Sequence, residues 1–84
     1  MSKKDYEKGK RWGFAIFKSN LELYGRAGVR KSDATLTTCR KYERNKKITK
    51  TKTGKLLTPA SRDAYRGIAD GLLEAYGKFM YGSR

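Results

Sequence analysis

The chain has no histidine, and its single cysteine, Cys39, is followed directly by Arg40. A guanidinium beside a thiol draws it toward thiolate, but nucleophilic catalysis also needs a base within reach, and the usual one is missing. Cys39 therefore reads as a small apolar group in the interior. Asp63, Asp70 and Glu74 fall on one helical segment, with Asp70 and Glu74 one turn apart. That spacing gives a polar face on which carboxylates pair with basic neighbours, not an acid and base pair around a substrate. Gly9-Lys10 lacks the upstream glycine and the downstream Ser or Thr of a phosphate-binding loop. No enzyme, metal site or cofactor is expected from these residues.

What the chain has in excess is positive charge. Lys and Arg number 21 against 8 acids, a net charge of +13. Much of it lies in the middle: residues 26–55 carry eleven basic and two acidic side chains, a net +9. Within that span, Arg40 to Lys55 (RKYERNKKITKTKTGK) sets eight basic residues against Glu43 alone. Self-repulsion of this size destabilises a compact chain and is tolerated where the partner is strongly anionic, since each Lys or Arg that neutralises a phosphate releases condensed counterions. The candidate contacts are Arg30, Lys31, Arg40, Lys41, Tyr42, Arg44, Lys46, Lys47, Lys50, Lys52 and Lys55.

Ala27-Gly28-Val29, followed by Ser32 and a segment rich in Thr, Arg and Lys, looks like the middle of a helix-turn-helix. There the glycine makes the turn, Val29 packs between the helices, and Lys31, Asp33, Thr35, Thr38 and Arg40 come nearest the bases, with Lys50 and Lys52 as a wing on the phosphates. Tyr24 and Thr37 depart from that pattern, which wants a small and an aliphatic residue there. The expected function is non-enzymatic nucleic-acid binding, with duplex DNA first. A small RNA- or ribosome-associated factor is the first alternative. An interaction protein or inhibitor that covers an acidic protein surface is the second. Among the aromatic residues, Tyr42 in the basic run and Tyr81 near the tail are expected to be exposed, where a ring can stack on an unpaired base.

The elements that must hold these residues make a single domain over 1–84, mainly α: two long packed helices, a short middle helix, and a small β-hairpin or basic loop at about 46–58. Phe14, Phe17, Leu21 and Tyr24 recur at spacings of three and four, predicting a helix from Asp5 to about Gly25, capped by Asp5 or Ser2. Gly25 and Gly28 stop it. Ser32 or Asp33 caps a second helix through about Arg44, with Ala34, Leu36, Cys39 and Tyr42 inward, although Thr35, Thr37 and Thr38 lower its propensity. Helical spacing thus turns Tyr42 inward while its charged neighbours turn it outward. From Lys46 to Thr58 the pattern alternates with period two about Gly54.

Thr58-Pro59 opens a last helix that runs to about Tyr81. It has a bulky stripe (Tyr65, Ile68, Leu72, Tyr76, Phe79) and a small one (Ala60, Ala64, Gly67, Gly71, Ala75). The small stripe predicts close packing against Gly9 and Gly13 of the first helix, or against a second copy in a homodimer. One cysteine, no apolar h-region after the basic start and no run of about 18 apolar residues together predict a cytoplasmic protein without a signal peptide or membrane span.

Overall fold

The computed structural model describes residues 3–82. Three helices, α1 (Lys3–Tyr24), α2 (Ala27–Arg44) and α3 (Pro59–Gly77), are followed by a π-helical turn, Lys78–Gly82. Tyr6 and Lys10 of α1 meet Gly67 and Gly71 of α3, and Phe17 meets Tyr76 and Phe79, so α1 and α3 run parallel. Between them α2 runs the other way, with Tyr42 on Tyr65 and Arg40 on Asp70. No helix among the described residues is long and apolar enough to cross a membrane.

The antiparallel α2 and α3 are joined by the 45–58 connection. Its single antiparallel bridge, Lys50 to Leu56, closes a short loop in which Gly54 takes a φ of 86°. Thr51 N donates to the Lys55 carbonyl at 2.9 Å, and Gly54 N to that of Thr51 at 3.0 Å. A left-handed glycine closing a three-residue loop is a common hairpin connection. One bridge is too little for strands, and none forms among the described residues.

The small-residue surfaces of α1 and α3 do face each other. Gly9 and Gly13 are buried against the backbone of Ala64, Ile68 and Leu72, and Gly67 and Gly71 against that of Tyr6 and Lys10. A methyl group at any of the four would fall on a carbonyl oxygen of the other helix. Gly67 and Gly71 of the stripe are thus consumed within the monomer. Close approach has a practical use here: the molecule measures 40 × 25 × 17 Å, too thin for a deep core. Phe17, Leu72 and Ala75 form the buried cluster, with Phe14, Ile16, Leu21, Val29, Leu36 and Ile68 around it.

Several sequence expectations shift. The α1–α2 turn is made by Gly25, at a φ of 60°, whose N–H bonds to the Leu21 carbonyl at 2.9 Å. Gly28 is instead a buried residue in the first turn of α2, seated on the backbone of Asn20. The second helix therefore starts well before Ser32, at Ala27. Ser32 is not a cap but a buried hydroxyl that accepts from Asn20 Nδ2 at 2.9 Å. The turn centred on Gly28 that suggested a helix-turn-helix is thus absent, and α1 and α2 form a plain antiparallel hairpin. Asp5 lies in the first turn of α1 and not at its cap, and Ser2 is outside the described residues. Thr35, Thr37 and Thr38 are accommodated because each hydroxyl donates to the carbonyl four residues back, at 3.1–3.2 Å. Thr58 caps α3 as expected, in a reciprocal capping box with Ser61.

Candidate functional site

The up-down-up arrangement puts the start of α1, the end of α2, the loop and the start of α3 at one end of the molecule. Seven of the predicted contacts gather there: Lys41, Arg44, Lys46, Lys47, Lys50, Lys52 and Lys55, all exposed. Lys3, Lys4 and Lys8 join them from the exposed surface of α1. Sequence spacing alone hid these three, because only the helix directions bring residue 8 near residue 55; both line the same groove. Asp5, Glu7, Glu43 and Asp63 are the acids of this end, so cations prevail. Two helix N-termini, each equivalent to roughly half a positive charge, point the same way.

Arg30 and Lys31 are exposed too, but they lie at the opposite end of α2, roughly 20 Å from Arg44 at 1.5 Å rise per residue. Arg30 shares the outer stripe of α2 with Lys41 and Arg44, whereas the Lys31 ammonium sits over the Tyr24 ring at 4.5 Å. Two predicted residues are drawn back from the surface. Arg40 is half-buried, paired with Asp70 at 2.8 Å and Glu43 at 3.0 Å. Tyr42 is only 8% exposed, packed on Tyr65 with ring centroids 5.1 Å apart. Its helical position on the Cys39 face outweighs the charge of its neighbours, so it cannot stack on a base. Tyr81 is exposed as expected, at 76%.

Buried Tyr42 instead stiffens the loop: its hydroxyl accepts from Lys52 N at 3.1 Å. Arg62, from the first turns of α3, does more. Its guanidinium donates to the carbonyls of Tyr42 and Ile48 at 2.7 Å and of Asn45 at 3.3 Å, closing the open end of α2 and fixing the start of the loop. Asn45 Oδ1 takes the Lys47 N–H at 3.0 Å, and Leu57 anchors the far end in the interior. The lysines thus project from a framework fixed at several points. Among the described residues, the ion pairs engage Lys10, Arg40 and Arg44 but none of the five loop lysines.

Compared with protein-family models, curated proteins and solved structures, this chain matches none. What the end can do must come from its own groups, among them cations, backbone N–H donors and the ring of Trp12, 58% exposed beside Lys8.

The titratable groups behind this surface are structural. Burial alone would raise the Asp70 carboxyl, but the Tyr6 hydroxyl, donating at 2.8 Å, and the Arg40 guanidinium hold it below the ordinary carboxylate value. The same hydrogen bond raises the Tyr6 phenol. Burial pushes the Cys39 thiol up to about 11 against the pull of Arg40, so no thiolate forms near neutral pH. Glu74 pairs with Lys10 at 3.0 Å, linking α3 to α1.

Proposed function

We propose that this protein binds nucleic acid through its cationic end, without chemistry on it, and holds duplex DNA in preference to other forms. The observation that carries the reading is the set of unpaired lysines on a loop pinned by Arg62, Tyr42 and Leu57. Pinned cations lose less freedom on meeting phosphates than cations on a free tail. Duplex DNA carries one charge per about 1.7 Å of axis, so a broad cationic end releases the most counterions there. The stable pairing of Arg40, Glu43 and Asp70 inside the bundle leaves the outer residues to face the ligand.

A salt titration by fluorescence anisotropy tests this, with duplex DNA, single-stranded DNA and hairpin RNA of equal phosphate count. Duplex DNA is expected to keep an advantage of about tenfold, or about 1.4 kcal/mol, as salt rises. Replacing Lys50 and Lys52 by Ala should flatten the duplex salt slope by roughly 0.9 for each phosphate no longer neutralised, with similar effect on all sequences. Three coincident curves that collapse by physiological salt would reduce the end to a generic polycation, and an acidic protein surface would become the better partner.

A further inference from the structure

We propose that the groove between α1 and α2 takes one unpaired nucleobase stacked on Trp12, drawn from the nucleic acid at the cationic end, and so rests on the nucleic-acid reading above. The groove measures about 720 Å³, within the range of small-molecule sites. Small residues line it: Ala34 on α2 and Ala64 on α3 leave room where α1 and α2 separate. Trp12, the chain's only tryptophan, forms one wall. At 58% exposed, this large ring gives up most of what its burial would contribute.

Charge selects the occupant. Lys8 and Lys55 flank the groove, and Lys55 is also part of the pinned loop, so the groove continues directly from the phosphate-binding surface. An apolar peptide would gain nothing from two ammonium groups, whereas a nucleotide offers a ring for Trp12 and phosphates for both lysines. The Thr35 and Thr38 hydroxyls are spent on their own helix backbone. Stacking of this kind tolerates any base. The preferred ligand is then a duplex that carries unpaired nucleotides at its end.

Trp12 is its own reporter. Its fluorescence would be followed while the full chain is titrated with a blunt duplex and with the same duplex bearing a short single-stranded overhang, with anisotropy of a dye on the DNA recorded in parallel. The overhang should quench Trp12 saturably and bind more tightly than the blunt form. Trp12→Ala should erase that advantage, a loss of roughly five- to 150-fold, equivalent to about 1–3 kcal/mol per stacked base, while blunt-duplex binding persists. Trp12→Phe, which keeps a ring, should restore part of it, and unchanged helical circular dichroism would show that both variants fold. Equal affinity and equal fluorescence for the two duplexes would overturn the stacking site and leave phosphate binding intact. Failure of both duplexes to bind beyond a generic polycation would overturn the nucleic-acid reading itself, and quenching by an acidic peptide alone would assign the groove to a protein.

Discussion

Gly67 and Gly77 both lie in α3, yet the same change, glycine to alanine, should move stability in opposite directions. A Cβ at Gly77 meets nothing within 4 Å. There Gly77→Ala gains helix propensity, about 0.5–1 kcal/mol, with no opposing contact. At Gly67 the propensity gain is the same, but the new methyl lands on the Tyr6 carbonyl oxygen and within 2.9 Å of Lys10 N. Overpacking costs about 1–3 kcal/mol where side chains can give way, and here only backbone is in reach, so the upper end applies. Less the propensity gain, Gly67→Ala should destabilise by about 2 kcal/mol or more, which lowers Tm by roughly 8–16 °C in a domain of this size. Urea unfolding followed by circular dichroism reads both variants. Adding Gly71→Ala to Gly67→Ala should cost less than the sum of the single changes, since α1 is displaced only once. If Gly67→Ala and Gly77→Ala stabilise alike, the parallel contact of α1 with α3 is wrong.

Two further outcomes follow from contacts that hold the cationic end. Arg62→Gln removes a charged donor from the Tyr42 and Ile48 carbonyls and should cost about 2–3 kcal/mol at roughly 1–1.5 per bond. It should also weaken duplex binding with little change in salt slope, because the lysines remain but are less fixed; a slope that drops with the affinity would place Arg62 on the phosphates. Asp70 has a folded pKa below its unfolded one, so its contribution is present above the ordinary carboxylate value and fades as pH falls through the folded one. Below about pH 4 the parent should therefore lose stability faster than Asp70→Asn does, and parallel acid limbs in their denaturation profiles would remove the Tyr6–Asp70–Arg40 link from the account.

The last helix was plain in the sequence, because cap, proline and two contrasting stripes all fall within Thr58 to Phe79 and agree with one another. The pairing of glycines across α1 and α3 was legible for the same reason. Other features depend on direction, and residue spacing does not encode it. Gly25 and Gly28 look alike as stop signals, and only the carbonyl of Asn20 facing Gly28 tells the turn from the contact. Lys8 joined the cationic end, and Arg30 left it, through the up-down-up order of the helices. Tyr42 had two conflicting signals, a charged neighbourhood and an inward helical position. Packing on Tyr65 settled it, since a ring gains more from burial than its charged neighbours lose by staying in water. Trp12 is exposed beside small residues, although only Tyr42 and Tyr81 were expected outside.

The thin cross-section has a thermodynamic consequence of its own. No large side chain among the described residues is fully enclosed, and the tightest contacts bring peptide groups of α1 and α3 together. Unfolding then exposes less hydrocarbon and relatively more amide than in a thicker domain of equal length. Hydrated hydrocarbon raises heat capacity and hydrated amide lowers it. The heat-capacity increment of this chain should fall below the usual value per residue. Its stability curve is therefore shallow, changing little with temperature on either side of its maximum.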